Sequence, residues 1–575
     1  MRIVLLIVAA TTLCAFGHAS ATNYYLSPGG SDGNSGTSTT NAWASLQHAR
    51  SHGLSAGDTL FIMGGTYSTD NYFNVWDGSI YGTVGHPVVF KAYGDSPAIF
   101  THSGSTFFQW GGAYNRGYVT IDGFSRTDPD SPYWIRFRPD ANSPAINISP
   151  GGTSTYHYTN FVIRGIEIDG SSSGGRLTYP FSLEGCDSFL VDHVYIHHVY
   201  HPTGDVPPGD GSDRGQGTGE CMFLKSCSGG KILNSTFKYA NHGLVCIERT
   251  WVGYAGHISR YITIKNCLFE NYWGGGLYIN LSSEYCLVEN NIFAHSGEST
   301  TFVKPAIQVS GSHHTIRGNV FYNPRNQPVQ LAGLISVGGD EQIVNYNYIY
   351  NNTFFKNGKG YNLQFFNNNA SAASTTEYNV IANNIFYKLA PTNVPRGNIW
   401  VELYHSSFPH NWVDPDDGYA LPGTTSWGHN QFMNNCLRVN DRGAAWDSMV
   451  VYDSDSHLPH LGGHLYPFTI AALEADGSGA WAHNIGSDPM FTSEDPDGYG
   501  LSNGWWHLQG GSQCINAGTP IIDANGPYAE ANCPGYGWGN LSFQGPAPDI
   551  GANEQGYEPQ GPPVPPALSC NPGRN

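Results

Sequence analysis

Three polar residues in the middle of the chain carry the side chains that cleavage of an acidic polymer requires: Glu220, His242 and Lys304. Breaking a uronic-acid polymer by β-elimination needs a base of near-neutral pKa to remove the proton beside the carboxylate. It also needs a cation to stabilise the charge that develops. Lys304 and His242 are the candidate bases. Glu220 and Lys304 are also compatible with a surface ion pair or a loop cap.

Hydrolysis of a glycan is the alternative chemistry, and it uses two carboxylates, one as acid and one as base or nucleophile. Glu220 can pair with Glu248 for this purpose. It can also pair with an acidic residue of the loop that precedes it, Asp205, Asp210 or Asp213. The residue types therefore leave lyase and hydrolase chemistry both open, with a lyase favoured.

The loop from His201 to Gly219 is a candidate calcium site. It holds Asp205, Asp210 and Asp213 within nine residues, interspersed with glycine. Carboxylate oxygens are the ligands that Ca²⁺ prefers, although the spacing is not that of an EF-hand. A solvated, turn-rich loop is the alternative interpretation. No organic cofactor is expected, because no glycine-rich phosphate-binding loop follows a strand.

A repeated motif shows which elements must position these residues. An Asn followed at a short interval by Phe recurs along the chain, with spacings between the Phe residues of 32, 24, 28, 33 and 32. Repeats of this length with short strands of alternating polarity predict a parallel β-solenoid, in which equivalent residues of successive coils stack. The Asn is expected to tolerate a left-handed turn and to form a ladder of side-chain amides. The Phe residues are Phe237, Phe269, Phe293, Phe321, Phe354 and Phe386.

Alternation along the strands then predicts which side chains face outward beside the candidate centre. Lys225, Tyr278, Asn280 and Gln308 are expected on the outer face as substrate-binding residues, together with Trp273, because aromatic faces stack on sugar rings. In the segment from His242 to Ile247, the pattern predicts that Leu244 and Cys246 point inward and that Val245 and Ile247 point outward.

Three segments resemble secreted right-handed parallel β-helix proteins of the pectate-lyase type. The segments are Tyr24 to Tyr67, the central coils, and the stretch from Gly486 to Ala552 that contains Gly-Ser-Asp-Pro and Asp-Ile-Gly-Ala. The resemblance implies an all-β, single-stranded right-handed parallel β-helix with long loop insertions. The group contains polysaccharide lyases, glycoside hydrolases, epimerases and adhesive proteins, so the resemblance is specific for fold and weak for reaction.

Two branches of that group bear on the catalytic residues. Lys304 and Arg325, on neighbouring coils near Glu298, are similar to the base and acid arrangement of alginate and chondroitin lyases, although the surrounding motif is not reproduced. Arg325 is therefore added to the candidate catalytic residues. The tight Asp cluster of the calcium-dependent pectate lyases is not found, which argues against that branch.

Composition excludes several classes of function. The 575 residues carry a net charge of −19, so general attraction to nucleic acid or to anionic membrane is not expected. Charged residues make up only 12%, aromatic residues make up 13%, and glycine is abundant at 72, which argues against disorder and against helical bundles. We expect a monomer whose partner is a polysaccharide.

The termini and cysteines suggest an exported protein. Residues 1–21 have the charge, apolar run and small-residue cleavage site of a signal peptide, which predicts secretion to the periplasm or the medium. The β-helix is expected over 22–436, an insertion and the closing coils over 437–555, with a short helix at Phe468 to Glu474, and a Pro-rich tail over 556–575. Export permits disulfides, and Cys514 with Cys533 is the predicted pair.

We favour a secreted polysaccharide-degrading enzyme, most simply a lyase of a uronic-acid-containing glycan. A β-helix glycoside hydrolase with paired carboxylates is the second hypothesis. A non-catalytic carbohydrate-binding or adhesive surface protein is the third, and polar clusters beside one face of the solenoid argue against it.

Overall fold

A computed structural model gives the architecture of the chain. It describes the following residues: 21–68, 71–102, 106–125, 131–139, 144–150, 156–172, 179–199, 219–240, 243–248, 258–272, 275–280, 283–295, 305–322, 329–333, 343–355, 362–367, 376–388, 399–402, 429–439, 448–452, 465–475, 479–493, 506–543 and 545–552.

The described strands form a right-handed parallel β-helix, as predicted. They belong to two sheets, and each typical coil contributes one strand to sheet B and then two consecutive strands to sheet A. Strands of neighbouring coils pair in parallel register throughout, and the one antiparallel pairing among the described strands joins Ser448–Tyr452 to Leu465–Thr469. No helix in the described part of the chain is long and apolar enough to cross a membrane.

Sheet B contains thirteen described strands. They are Phe73–Val75, Phe108–Gly111, Ile146–Ser149, Phe181–Glu184, Met222–Lys225, Gly243–Glu248, Gly275–Ile279, Ile307–Val309, Val329–Gly333, Leu363–Asn367, Ile399–Glu402, Ser448–Tyr452 and Leu465–Thr469.

Sheet A contains 24 described strands. They are Asn23–Leu26, Thr59–Ser68, Val88–His102, Arg116–Asp122, Ile135–Pro139, Tyr158–Arg164, Ile166–Asp169, Cys186–Asp192, Tyr195–Val199, Ser228–Leu233, Thr236–Ala240, Arg260–Lys265, Leu268–Glu270, Leu287–Glu289, Ile292–Ala294, Thr315–Arg317, Val320–Tyr322, Tyr348–Tyr350, Thr353–Phe355, Val380–Ala382, Ile385–Lys388, Gln431–Met433, Cys436–Val439 and Trp481–Ala482.

The helices among the described residues are short. The α-helices are Leu46–His52, Ile470–Glu474 and Asn525–Asn532, and single 3-10 turns lie at Thr39–Asn41 and Gly170–Ser172. The Ser45 side chain caps the first helix by accepting a hydrogen bond from the His48 N–H. The predicted helix at Phe468 to Glu474 is present from Ile470, while Phe468 lies in the preceding strand.

The repeated Phe residues form a stacked column inside the solenoid. Phe237 and Phe269 have ring centroids 5.4 Å apart, and Phe269 and Phe293 are 4.5 Å apart with nearly parallel planes. The column continues through Phe321, Phe354 and Phe386 at spacings of 4.7 to 5.0 Å. All six rings are fully buried. The column confirms the predicted stacking of residues that lie far apart in the chain.

In several coils the repeated Asn residues lie in adjacent pairs at the turn between the two strands of sheet A. The first Asn of a pair adopts the left-handed conformation, as Asn351 does with φ of 53°. The second is buried in the ladder, where the Asn319 Nδ2 donates to the Asn352 Oδ1 at 3.0 Å and the Asn352 Nδ2 donates to the Asn384 Oδ1 at 3.0 Å. The left-handed Asn also pairs between coils, since the Asn383 Nδ2 donates to the Asn351 Oδ1 at 3.2 Å, so both predicted roles are present.

Two predictions about individual residues are wrong. Met222 pairs with Val245 and Phe223 with Cys246, so Val245 and Ile247 point inward and Cys246 points outward. The error is a one-residue slip, which exchanges the two faces of a strand. Cys514 and Cys533 are not bonded to each other. The Cys514 thiol contacts the Cys436 thiol instead, while Cys533 lies beside Gly229.

Candidate active site on the outer face of sheet B

A row of polar side chains runs along the outside of sheet B, one from each successive coil. We call it the sheet B row, and it consists of Ser149, Glu184, Lys225, Glu248 and Asn280. Glu184 pairs in register with Lys225, and Lys225 with Glu248. At about 4.8 Å per coil, the row extends about 19 Å along the solenoid axis. A linear polar surface of this kind matches the shape of an extended polymer.

Side-chain contacts connect most of the row. The Ser149 hydroxyl donates to the Glu184 Oε2 at 2.9 Å, and the Lys225 Nζ lies 3.6 Å from the Glu184 Oε1. The Asn280 Nδ2 lies 3.5 Å from the Glu248 Oε1. On the next coil, the Gln308 Nε2 donates to the Asn280 Oδ1 at 3.1 Å. These contacts hold the polar groups in fixed positions before any ligand arrives.

Lys225 is the cation at the middle of this row. Its side chain is 19% exposed, and carboxylates follow on both adjacent coils, Glu184 before it and Glu248 after it. The Met222–Lys225 strand places it there because Met222 and Leu224 fill the core, which leaves Phe223 and Lys225 outside. A partly exposed ammonium group flanked by acceptors can bind an anionic group of a ligand at a defined place.

Glu220 is buried at the entrance of the same strand. It is 2% exposed, and its Cγ lies next to the Tyr278 ring, where a Cβ on Gly243 would meet both. Tyr179 is affected by the same carboxylate. Burial raises the pKa of Tyr179, and the neighbouring Glu220, Cys246 and Glu248 raise that pKa further. This phenol therefore stays protonated near neutral pH.

Tyr278 supports the floor of this face. Burial raises the pKa of Tyr278, whose hydroxyl accepts a hydrogen bond from the Gly275 N–H at 2.8 Å. The residue is only 1% exposed. Its ring is in contact with protein rather than presented as a stacking surface.

The structure brings together five of the predicted site residues on this face: Glu220, Lys225, Tyr278, Asn280 and Gln308. The remaining ones lie outside the described residues. They are the catalytic candidates His242, Lys304 and Arg325, the aromatic Trp273, and the calcium candidates Asp205, Asp210 and Asp213.

Sequence reasoning missed Glu184 as a member of the row. The signal was present, because Phe181-Ser182-Leu183-Glu184 alternates as Met222-Phe223-Leu224-Lys225 does, and the two strands pair residue for residue. The long loop from His201 to Gly219 in the same coil hid the alignment. A cluster of Glu167, Asp169, His197 and His198 on sheet A was missed as well.

Comparison with known proteins agrees with this fold. Residues 251–437 match the family model described as a right-handed beta helix region. The chain is a right-handed parallel β-helix protein. A search of curated protein sequences finds no match.

Several solved structures are similar to this chain at low identity. A pectate lyase, Pel9A, is 14% identical, with 94% of this chain and 97% of that chain covered and a TM-score of 0.45. The A-module of the Azotobacter vinelandii mannuronan C-5 epimerase AlgE6 is 11% identical, with 60% and 88% covered and a TM-score of 0.42. The GH136 lacto-N-biosidase from Eubacterium ramulus is 13% identical, with 67% and 63% covered and a TM-score of 0.36.

Proposed function

We propose that the protein is a secreted polysaccharide lyase that cleaves a uronic-acid-containing glycan bound along the sheet B row. The observation that carries the proposal is the position of Lys225, a partly exposed cation at the centre of a linear polar row. Because the chain carries a net charge of −19, an acidic glycan needs a local cation of this kind to hold it.

The proposed reaction uses this cation at the reacting sugar. The Lys225 ammonium group binds the uronate carboxylate and stabilises the negative charge that develops when the adjacent carbon loses its proton. A base takes that proton, a carbon–carbon double bond forms, and the glycosidic carbon–oxygen bond breaks on the same sugar. The departing oxygen takes a proton from solvent water. His242 or Lys304 is the proposed base.

The test is turnover of a panel of polyuronates, followed by ultraviolet absorbance of the unsaturated product. Lys225→Ala is expected to lower kcat/KM by about 10²- to 10³-fold, the usual effect of removing one charge-stabilising group. Lys231→Ala is the control, because Lys231 lies on sheet A over the Tyr536 ring and away from the row. Full activity of Lys225→Ala would overturn the assignment of this residue.

Hydrolysis is the second candidate, and the two carboxylates on either side of Lys225 favour it. Glu184 and Glu248 stand two coils apart, which separates their backbones by about 9.6 Å. Inverting glycosidases hold their carboxyl groups about 6.5–9.5 Å apart. New reducing ends without ultraviolet absorbance, lost in both Glu184→Gln and Glu248→Gln, would establish this mechanism instead.

Two arms of the same assay address the remaining possibilities. Activity that disappears with a chelator and returns with Ca²⁺ would support the proposed calcium loop of Asp205, Asp210 and Asp213. Binding of a glycan without product in either assay, across uronic, sulfated and neutral polymers, would instead support a carbohydrate-binding or adhesive protein.

A further inference from the structure

Two adjacent histidines and an aspartate converge on the outer face of sheet A, away from the sheet B row. Asp169 and His197 pair in register on neighbouring coils. The His197 Nδ1 lies 2.5 Å from the His198 Nδ1 and 3.6 Å from the Asp169 Oδ1, and the His198 Nδ1 lies 3.8 Å from that same oxygen. The three ligand atoms therefore surround one point.

A left-handed corner of the coil puts both histidines on one side. Successive side chains of a strand normally alternate, so His197 and His198 would point to opposite faces. His198 has a φ of 57°, and it is skipped in the pairing of His197 with Lys238 and Val199 with Ala240. This left-handed corner, which recurs at Tyr239 on the next coil without a shift of register, turns His198 outward beside His197 while Val199 returns to the core.

A carboxylate fixes the His197 ring from behind. The His197 Nε2 lies 3.1 Å from the Glu167 Oε1, and the Glu167 Oε2 lies 3.0 Å from the Arg136 Nε. An imidazole that donates from Nε2 presents the lone pair of Nδ1 on its other side, which here faces Asp169 and His198. Metal-binding histidines almost always have such a carboxylate or carbonyl partner. The Tyr195 ring, stacked on His197 with centroids 4.1 Å apart, restricts the imidazole further.

The aspartate is held in position as well. Its Oδ1 accepts a hydrogen bond from the Ser171 N–H at 2.9 Å, and the Arg138 Nη2 lies 3.8 Å from its Oδ2. Glu270, further along the same face, contacts one lysine and one histidine, Lys238 and His295. Asp169 differs from it in facing two histidines as well as Arg138.

We propose that Asp169, His197 and His198 bind a divalent first-row transition metal ion, Zn²⁺ being the best fit, with a fourth position open to water. Zn²⁺ takes histidine nitrogens and carboxylate oxygens at about 2.0–2.2 Å in tetrahedral geometry, which puts its ligand atoms roughly 3.4 Å apart. The distances from the Asp169 Oδ1 to the two Nδ1 atoms, 3.6 and 3.8 Å, are already close to this value. The two Nδ1 atoms move apart by about 1 Å on binding. Ca²⁺ is a poor fit, since it takes oxygen ligands.

The solvent exposure of the three side chains indicates where the open fourth position of the metal ion lies. The His197 side chain is 2% exposed, whereas Asp169 is 13% and His198 is 28% exposed. One side of the ion would therefore face solvent, as in sites where zinc binds water beside three protein ligands.

The test is a titration of the tag-free, chelator-treated protein with Zn²⁺ in competition with a chromophoric chelator. The wild type is expected to bind one Zn²⁺, and His198→Asn to bind it at least about 100-fold more weakly, since loss of a partner behind a ligand alone costs about 10- to 100-fold. Asn preserves the left-handed backbone, because Asn271 occupies the equivalent position two coils on, with φ of 54°.

His295→Asn is the matched control. His295 lies one further coil along, is also left-handed, and contacts Glu270 at 3.3 Å. Its substitution is expected to leave Zn²⁺ affinity unchanged, whereas Glu167→Gln is expected to weaken it about 10-fold. Equal Zn²⁺ affinities of the wild type and His198→Asn, or equal losses in His198→Asn and His295→Asn, would overturn the proposal.

A spectrum of the Co²⁺ form makes the test independent of how the variants fold. The wild type is expected to show the visible bands of tetrahedral Co²⁺ and to lose them when Zn²⁺ is added. Absence of these bands in folded wild-type protein would also overturn the proposal.

Discussion

Glu289 and Arg317 lie in register on neighbouring coils, and the Arg317 Nε donates to the Glu289 Oε2 at 2.7 Å. Both side chains are buried, with exposures of 6% and 5%. Lys265 contacts the other carboxylate oxygen from the preceding coil. We predict that Glu289→Gln lowers the free energy of unfolding by about 3–5 kcal/mol, because it leaves buried cationic charge without its counter-ion. Denaturant unfolding measures this loss.

An exposed ion pair supplies the control for that prediction. Arg50 and Asp77 are 3.2 Å apart at exposures of 37% and 54%. Asp77→Asn is expected to change the free energy of unfolding by less than about 1 kcal/mol. Equal effects of the two substitutions would contradict the argument from burial.

The same buried pair predicts a loss of stability in acid. Burial raises the pKa of Glu289, but Arg317 and Lys265 outweigh burial and hold that pKa below its ordinary value of 4.5. The stabilisation is therefore complete above pH 4.5 and is lost as the pH falls through the lowered pKa of the folded state. Glu289→Gln should show a smaller decrease in unfolding free energy than the wild type between pH 5 and strongly acidic pH.

The Asn ladder predicts a large effect for a single amide. The Asn352 side chain accepts from the Asn319 N–H and donates to the Ile316 carbonyl at 2.9 Å, as well as contacting Asn384. Asn352→Ala removes these bonds from a buried position, so we expect a loss of about 3–5 kcal/mol, the sum of several unsatisfied groups at about 1–3 kcal/mol each after partial relaxation. Asn532 lies at an exposed helix end. Asn532→Ala should therefore change the free energy of unfolding by only about 0.5 kcal/mol, the usual effect at a surface site.

A second ladder contains His314 where the following coils have Asn347 and Asn379. The His314 Nδ1 accepts from the Cys286 N–H at 3.1 Å, and complete burial lowers the pKa of His314 to about 3 from its ordinary 6.5. Below pH 6.5 the unfolded chain binds a proton that the folded chain does not, so stability falls as the pH falls from 6.5 towards 3.

His314→Asn should abolish this pH dependence while keeping the ladder bond, because the Asn carbonyl accepts as the Oδ1 of Asn347 does. Between pH 7 and pH 5 the wild type should lose about 2 kcal/mol more than the variant. Parallel pH profiles of the two unfolding free energies would show that His314 titrates normally in the folded state.

The sequence was sufficient for the fold because the fold repeats. Six Phe residues at similar spacings have a single explanation in a solenoid, and the column from Phe237 to Phe386 confirms it. The face to which an individual side chain points was harder to predict. At Gly243–Glu248 nearly every residue is apolar, so Val245 and Cys246 exchange faces without any visible change of pattern.

The metal cluster could not have been found by alternation. His197 and His198 share a face only because His198 has a left-handed backbone. That conformation is predictable from sequence mainly for Gly and Asn, and not for His. Glu167 and Asp169 lie about thirty residues earlier in the chain. Only the register between the two coils shows that these side chains meet.

Asn280 tests whether the substrate follows the whole sheet B row. It stands two coils beyond Lys225 and contacts Glu248 at 3.5 Å and Gln308 at 3.1 Å. A group at that distance from the reacting sugar binds the ground state and the transition state equally, so Asn280→Ala should raise KM several-fold with little change in kcat. The increase in KM should vanish for oligosaccharides too short to reach this coil. A fall in kcat that persists with the shortest cleaved substrate would instead place Asn280 at the reacting sugar.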